Sequence, residues 1–384
     1  MSADSPYHFA LLPPGFFDVI EEQASSHERV RGVLLAHFQQ YGYQLVRPPL
    51  MEFETSLFAD SNQPLRKHAF QLIDPISHHM LGIRPDITTQ VARIAVSRLA
   101  YLPRPLRLCY AGEVLRTKGE GIEGKRQRTQ VGFELLGSDS VSADSEVVRV
   151  ALGALSVLGI TDVAIDLIMP PIVRDLFKHL NLSLDTQLQL KEALSKKDLQ
   201  SIKVLAGDDH HYFIPLITLY GSVQDTLLHI RSLPLTEKTL ELCGRLETIV
   251  AMIARHYPHV HVTIDAAEAD YFDYHTGIGF SIFSRHTAVE LGRGGRYIVQ
   301  QSQHLEPGCG FTLYVDSLAH LIAPQPASHT VLVAPDCENG VIHSLQQQGM
   351  VVVFADDSDT LEQQALNRTY YGWVDEAGIL HAVA

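Results

Sequence analysis

The sequence predicts an α+β protein made of a large domain and a small one. Apolar residues at helical spacing alternate with strand-like segments, and a Leu-rich helical stretch interrupts them between about residues 172 and 256. A Pro-containing segment, QPASH, then precedes a short strand-helix-strand pattern. We therefore expect a large domain over residues 1–322 with a helical insertion at about 172–256, and a small, truncated α/β domain over residues 323–384.

The first elements are a helix and a strand that contains prolines. Apolar residues recur at spacings of three and four from His27 to Tyr41, which predicts an amphipathic helix that ends near Gly42. The next segment, YQLVRPPLMEFE, predicts a strand interrupted by Pro48 and Pro49. Because proline has no backbone donor, such a strand belongs at a sheet edge or an interface.

A hairpin with a long polar tip follows. LRLCYAGEVLR and QVGFELLG predict two strands, and the loop TKGEGIEGKRQRT joins them. This loop either binds a partner or an effector, or is an ordinary solvated loop. Its basic residues are Lys118, Lys125, Arg126 and Arg128. After the hairpin, the residues from Ser145 to Leu158 predict a helix and VAIDLIM predicts a strand.

Strand character returns after the insertion. HVTIDAAEADYFDYHTGIGFSIF and TAVELGRGGRYIV predict strands, and GCGFTLYVDSLAHLI predicts a closing helix. In the small domain, VLVAPD and VVVFAD predict strands on either side of a helix near residues 341–348.

Composition argues against several classes of protein. The formal net charge of -14 disfavours nucleic-acid binding, whose affinity comes from neutralising phosphates. The apolar runs are too short for a bilayer and the first residues do not resemble a secretory signal, so we expect a cytoplasmic protein. The four cysteines form no CxxC pair. We also expect no metal site, because the adjacent residues of the one His/Asp cluster face different ways; they are Asp208, Asp209, His210 and His211.

Five segments, in order along the chain, resemble class II aminoacyl-tRNA synthetases and specifically the histidyl enzyme. VRPPLMEFE resembles motif 1, and GIRPDITTQVARIA resembles the segment that reads the amino-acid ammonium. LRLCYAGEVLRTK with RQRTQVGFELLG is similar to motif 2, DYFDYHTG with GRGGRY to the two histidine-specific motifs, and GCGFTLYVDSL to motif 3. The resemblance covers roughly residues 8–322. It implies an antiparallel sheet flanked by helices, and a dimer interface at Pro48 and Pro49.

The resemblance also implies a vestigial pocket for histidine or another effector. Its residues are Asp86, Arg116, Gln130, Glu134, Tyr274 and His275. Asp86 replaces a glutamate of the family and His275 replaces its second tyrosine. Two carboxylates and an amide can surround an ammonium group and accept from an imidazole N–H. Alternatively, Gln130 and Glu134 form a polar sheet face open to solvent, and Arg116 is a structural ion-pair residue.

Amino-acid activation needs cations that this chain lacks. The family uses three arginines to stabilise the charge that collects around the α-phosphorus of ATP. Arg116 matches the first, but Asp270 stands at the second position and Ser317 at the third. Lys118 also replaces the acid that follows the motif 2 arginine. Serine cannot reproduce the planar fork of a guanidinium, so we predict no adenylation by this chain.

These departures narrow the resemblance to the regulatory subunit of ATP phosphoribosyltransferase, a paralogue of histidyl-tRNA synthetase. A C-terminal segment about half as long as an anticodon-binding domain agrees, and no tRNA is expected as a partner. The resemblance implies a homodimer that binds the short catalytic subunit within a hetero-octamer, without a cofactor. It implies activation of that subunit and allosteric feedback by histidine at the first step of histidine biosynthesis.

Two other functions stay open at this point. A working histidyl-tRNA synthetase, or a paralogue that modifies another substrate with an amino acid, would each require ATP binding. The sequence also leaves open whether histidine binds in the synthetase-like pocket or at the contact with the catalytic subunit. It does not give the stoichiometry or the surface that contacts the partner.

Overall fold

The computed structural model describes residues 11–58, 63–120, 124–219, 223–268, 275–301, 304–323, 329–356, 359–375 and 377–383. The chain divides into two compact units, residues 1–322 and 323–384. Two residues singled out above, Asp270 and Tyr274, lie outside the described residues, as do residues 121–123 of the hairpin.

The first unit begins with a long helix that packs into the main core. Helix α1 (Glu21–Gln40) overlaps the predicted helix, begins six residues before His27 and ends at Gln40. Its buried apolar face includes Val30, Leu34 and Phe38. Strand β1 (Gln44–Leu45) follows, and the predicted interruption at Pro48 and Pro49 is confirmed, because pairing resumes only at β2 (Met51–Phe53).

A small three-stranded antiparallel sheet comes next. It has the order β2-β4-β3, with β3 at Gln71–Ile73 and β4 at Met80–Ile83. Two short helices, α2 (Glu54–Leu57) and α3 (Gln63–Arg66), lie between β2 and β3 along the chain. Helix α4 (Thr88–Ser97) follows β4. Several large apolar side chains of the three strands are exposed: Met51, Phe53, Leu72, Ile73 and Met80.

The central hairpin is longer than predicted. Strands β5 (Leu106–Glu120) and β6 (Lys125–Leu136) pair from Leu106 opposite Leu136 to Leu115 opposite Gln127, and again at Glu120 opposite Lys125. The prediction of a long loop at TKGEGIEGKRQRT is therefore wrong. An antiparallel ladder is made by main-chain groups, so polar side chains do not mark where the pairing ends.

The hairpin lies inside an eight-stranded sheet. The sheet adds β7 (Val163–Ile168), β8 (His261–Asp265), β9 (His275–Ser284), β10 (Glu290–Gln301) and β11 (His304–Tyr314). Its order is β1-β5-β6-β11-β10-β9-β7-β8. The neighbours are antiparallel except at the two ends, where β1 with β5 and β7 with β8 are parallel. The predicted α+β class with a mainly antiparallel sheet is confirmed.

The predicted closing helix is wrong over its first half. GCGFTLY belongs to β11, and only the five-residue helix α12 (Val315–Ala319) follows it. Glycine is uncommon in strands, which made the segment look unlike one. Here a Cβ on Gly310 would lie 1.8 Å from Oε2 of Glu134, so the glycine is required by what packs against it.

Helices surround this sheet and share its core. Helix α5 (Val141–Val157) precedes β7, and six helices follow β7: α6 (Pro171–His179), α7 (Leu184–Ser195), α8 (Leu199–Ala206), α9 (His210–Thr218), α10 (Val223–Ser232) and α11 (Glu237–His256). Side chains that cap these helices at their first turns include Ser183, Asp198 and Thr236. Leu190 of the insertion belongs to the same buried cluster as Ile282 of the sheet.

The second unit is a small mixed sheet with two helices. Its elements are β12 (Thr330–Val333), α13 (Asn339–Gln347), β13 (Val351–Phe354), α14 (Leu361–Asn367), β14 (Gly372–Val374) and β15 (Leu380–Ala382), with strand order β13-β12-β14-β15. The predicted strand-helix-strand is confirmed. Across the described parts of both units, no helix is long and apolar enough to cross a membrane.

Candidate functional site

Most candidate site residues that the structure describes converge on the central strands. Gln130 and Glu134 lie on β6, Arg116 on β5, and Asp86 just before α4. Alternate residues of a strand share a face, which places both β6 side chains on the same side of the sheet. His275, at the start of β9, lies two strands beyond the partner of β6.

Asp86 and Gln130 form one hydrogen-bonded unit. The Nε2 of Gln130 donates to Oδ2 of Asp86 at 2.8 Å, and Oε1 of Gln130 accepts from the backbone N–H of Ile87 at 3.1 Å. The other oxygen of Asp86 accepts from the Thr88 N–H at 2.9 Å. Gln130 is fully buried, and its amide orientation follows from these partners.

Glu134 lies at the centre of a buried network of hydroxyl groups. Tyr110 donates to its Oε1 at 3.2 Å and Tyr297 donates to its Oε2 at 2.7 Å. The Tyr110 hydroxyl also contacts those of Thr88 and Thr312, at 3.1 and 2.6 Å. Glu134 is 1% exposed, so the alternative of a polar face open to solvent is wrong for this residue and for Gln130.

Burial changes the protonation of Glu134. Desolvation raises its pKa to about 8, against the opposing effect of the hydroxyl groups that donate to it. Near neutral pH, this carboxyl is therefore able to donate or to accept a hydrogen bond.

His275 is a buried, neutral imidazole. Burial lowers its pKa well below the ordinary value, and the charges of Arg293 and Arg174 add to the effect. A Cβ on Gly295 would lie 2.5 Å from the Cδ2 of His275, which explains one glycine of GRGGRY.

A basic cleft lies next to the Asp86–Gln130 unit. It is lined by Val114, Arg116, Lys125, Arg126, Arg128, Gln130 and Tyr314. Arg116 donates from Nε to the Pro85 carbonyl oxygen at 3.1 Å, and so contributes to the structure around Asp86. Asp86, Gln130 and Glu134 together are called the polar set here. Gln130 belongs to this set and also lines the cleft.

Two arginines of the cleft are engaged by the protein itself. The guanidinium of Arg126 lies 5.0 Å from the ring centre of Phe16 and 4.9 Å from that of Phe70. Arg128 stacks over Tyr314 at 3.7 Å and donates to Oγ of Ser317 at 3.3 Å. Contacts within the protein therefore hold both arginines in place. The alternative that they lie in an ordinary solvated loop does not describe them.

Helix α12 supplies a serine and a carboxylate to the edge of the cleft. Ser317 accepts from Arg128, and Oδ2 of Asp316 accepts from the Thr129 N–H at 2.9 Å. The motif 3 position therefore holds a hydroxyl group bound to the protein's own arginine.

The carbonyl groups of the candidate interface prolines accept hydrogen bonds from buried side chains. Nη1 of Arg84 donates to the Pro48 carbonyl oxygen at 3.0 Å, and Nε2 of Gln90 donates to that of Pro49 at 2.9 Å. The chain from β1 to β2 is in this way fixed to the segment that carries Asp86.

Sequence reasoning missed four residues of the site. They are Tyr110, Arg174, Tyr297 and Thr312, which bond to Glu134 or to its partners, or to the His275 backbone. Tyr297 was visible as the last residue of GRGGRY. Tyr110 and Thr312 are ordinary strand residues that sheet pairing places beside Glu134, and Arg174 reaches the His275 carbonyl group from helix α6.

The two histidines of the His/Asp cluster contact backbone carbonyl groups three residues earlier in the chain. Nδ1 of His210 lies 2.6 Å from the Gly207 carbonyl oxygen, and Nδ1 of His211 lies 2.8 Å from that of Asp208. Within the residues that the structure describes, no group of three or more His, Cys, Asp or Glu side chains is placed to hold a metal ion.

Comparison with known proteins identifies the family. A family profile described as histidyl-tRNA synthetase matches residues 15–318. The ATP phosphoribosyltransferase regulatory subunit of Gluconobacter oxydans is 38% identical over 371 residues, which are 96% of each chain. The chain belongs to the ATP phosphoribosyltransferase regulatory subunit family. Its function is therefore that of a regulatory subunit of ATP phosphoribosyltransferase in histidine biosynthesis, and its role is non-catalytic.

Solved structures agree on the fold of this regulatory subunit family. A protein from Bacillus halodurans, described as an ATP phosphoribosyltransferase regulatory subunit/histidyl-tRNA synthetase, matches with a TM-score of 0.81 at 22% identity, covering 97% of this chain and 99% of its own. A chain of the ATP phosphoribosyl transferase (HisG:HisZ) complex from Thermotoga maritima matches with a TM-score of 0.59 at 18% identity, covering 75% and 97%. The predicted class II synthetase-like fold is confirmed.

Proposed function

We propose that this chain binds the short-form catalytic subunit of ATP phosphoribosyltransferase, activates it, and carries histidine feedback to the first step of the pathway. The single observation that carries the proposal is the polar set of half-buried Asp86 and buried Gln130 and Glu134, beside a cleft whose motif 3 position is Ser317. Amino-acid recognition is kept while the groups for adenylation are replaced. We place the protein in the cytoplasm.

The buried polar set suits histidine. Asp86 offers a half-buried carboxylate for the ammonium group, and Gln130 holds it in place. Glu134, with its pKa raised to about 8, can share a proton with an imidazole. His275 and Arg116 complete the candidate pocket on the described residues; Tyr274 lies outside them.

The chemistry of the cleft supports a regulatory role. Adenylation would need guanidinium groups directed at a triphosphate. Arg128 instead stacks on Tyr314 and bonds to Ser317, and the guanidinium of Arg126 lies close to the rings of Phe16 and Phe70. These cations are engaged with protein groups, and the second family position, Asp270, lies outside the described residues.

Assembly as a homodimer is supported by the exposed apolar surface near the motif 1 prolines. Met51 is 40%, Phe53 45% and Leu72 38% exposed, and the strand register places these three side chains on one face of the small antiparallel sheet. Contiguous apolar surface of this kind is typical of protein interfaces. We propose that Pro48 and Pro49 lie in the dimer interface, and that the dimer joins the catalytic subunit in a hetero-octamer. The similarity to a chain of the Thermotoga maritima complex supports the partner.

The direct test measures phosphoribosyl-ATP formation by a purified short-form ATP phosphoribosyltransferase. We expect this chain to raise the rate and to co-elute with the catalytic subunit, and we expect added L-histidine to reverse the increase. Thermodynamic linkage requires the chain to bind the competent state of its partner better than the idle state. An unchanged rate together with separate elution would contradict the proposal.

A further inference from the structure

Two cationic side chains of the helical insertion reach the strands on either side of the first histidine-specific motif. Strand β8 ends at Asp265 and strand β9 begins at His275. Lys197, between α7 and α8, places Nζ 2.9 Å from Oδ2 of Asp265. Arg174 on α6 donates from Nη2 to the His275 carbonyl oxygen at 2.7 Å. The insertion therefore contacts the last residue of one strand and the first residue of the other.

The Asp265 carboxylate shapes the turn that leaves β8. Its Oδ1 accepts from the backbone N–H groups of Ala267 and Glu268, at 3.0 and 3.1 Å, while Oδ2 faces Lys197. Asp265 is only 8% exposed, and burying a carboxylate is costly unless it is paired, as it is here with Lys197. Lys197 also lies close enough to Asp166 to oppose the rise in the pKa of that carboxyl, which burial mainly causes. Removing Lys197 leaves two carboxylates with less compensation.

The Arg174 contact is made from a helix that is itself fixed. On α6, the neighbouring Asp175 accepts from the N–H and the hydroxyl of Thr236 at 3.0 and 2.6 Å, which joins α6 to the start of α11. His275 is 2% exposed, so its carbonyl group sits in an interior where loss of a charged donor is costly. The position of the β9 start therefore depends on the packing of the insertion.

We propose that Arg174 and Lys197 are positioning residues that couple the helical insertion to the histidine pocket. A change in the packing of the insertion then changes the affinity for histidine, and bound histidine in turn stabilises the insertion, since such coupling is reciprocal. This inference rests on the proposed function, because it assumes that histidine occupies the pocket beside His275. Substitutions that alter coupling of this kind change affinity by roughly twofold to thirtyfold.

The first test is L-histidine binding to the full-length chain by calorimetry. Lys197→Met and Arg174→Met remove the charge and keep an apolar stem, and each should weaken histidine binding by roughly twofold to thirtyfold. Lys197→Arg should restore the affinity. The matched control is Lys196→Met, because Lys196 is 67% exposed and pairs with Glu192 inside α7. Equal affinity in the wild type and in both Met variants would overturn the proposal.

Hydrogen exchange separates positioning from a general loss of stability. In the wild type, L-histidine should slow exchange in α6 and α7, and the double variant Arg174→Met, Lys197→Met should lose this effect at a temperature where it is still fully folded. Without histidine, the double variant should exchange faster in residues 261–268 and 275–284 than the Lys196→Met control. Unchanged exchange in those two segments would refute the anchoring.

The two proposals fail in different ways. If the wild type gives no heat with L-histidine, the histidine pocket of the proposed function is refuted. The exchange of residues 261–268 and 275–284 in the ligand-free variants still decides whether Arg174 and Lys197 hold these strands. If the wild type binds histidine and the Met variants bind it equally well, the pocket stands and the coupling is refuted.

Discussion

The buried polar set and the basic cleft meet at Gln130, yet their charged groups are arranged in opposite ways. In the polar set, amide and hydroxyl groups hold Asp86 and Glu134, so Asp86 offers a carboxylate to a cationic group and Glu134 can donate or accept a hydrogen bond. In the cleft, Arg126 and Arg128 stack on aromatic rings of the chain itself. A binding site can thus be kept while the neighbouring arginines contact side chains of the protein itself.

The largest expected effect is on the pH dependence of stability. Glu134 has an ordinary pKa of 4.5 when unfolded and about 8 when folded, so the folded state retains a proton that the unfolded state has lost. The contribution of Glu134 to stability is therefore fully present below about pH 4.5 and is lost as the pH rises through about 8, roughly 5 kcal/mol in total.

Urea unfolding of the wild type and of Glu134→Gln across this range checks the pH effect. The Gln variant has no carboxyl at this position and should show a flatter profile. Parallel profiles for the two proteins would show that Glu134 does not titrate as its burial requires.

The second effect concerns the space around Glu134. Gly310→Ala places a Cβ 1.8 Å from the Glu134 carboxylate and 2.5 Å from the Phe133 carbonyl oxygen, so the sheet must shift. We expect the free energy of unfolding to fall by about 3 kcal/mol. Gly244→Ala in α11 is the control: its Cβ meets no atom within 4 Å, and it should stabilise the chain by up to about 1 kcal/mol. Equal stability of the two variants would count against the tight packing described here.

The third effect separates the two regions by ligand binding. Asp86→Asn removes the carboxylate proposed to bind the ammonium group and should weaken L-histidine binding by about a hundredfold, measured by calorimetry. Asp316→Asn is the matched control at the edge of the cleft, where the carboxylate accepts from the Thr129 N–H. Its affinity for histidine should stay within about twofold of the wild type. If both variants lost histidine binding, or neither did, then the polar set would not be the region that binds histidine separately from the cleft.

The smallest effect is expected at the motif 3 position. Ser317→Ala removes one acceptor of Arg128, which keeps its stacking on Tyr314. The free energy of unfolding should change by no more than about 0.5 kcal/mol, and histidine affinity should be unchanged. A large loss of either, by urea unfolding or calorimetry, would mean that Ser317 contributes to the polar set.

Much of the site could be predicted because its residues lie in short, ordered segments. Asp86, Gln130 and Glu134 were recognised from neighbouring residues in the sequence. Their hydroxyl partners were missed: Tyr110 lies on β5, the hairpin partner of β6, and Tyr297 lies on β10, which β11 separates from β6 and which reaches Glu134 only across the assembled sheet. The sequence therefore could not distinguish a buried network from a solvent-exposed polar face.

The local pattern by itself determined the α+β class, the helical insertion and the candidate acceptors of the amino-acid site, since periodicity and residue type are local properties. Tertiary structure decided where the central hairpin ends and at which glycines, such as Gly310, the packing leaves no room for a Cβ. It also decided that Arg128 binds Ser317 and that Arg174 and Lys197 reach the strands beside the histidine motif. These contacts join residues far apart in the chain, and only the packing of strands and helices sets their distances.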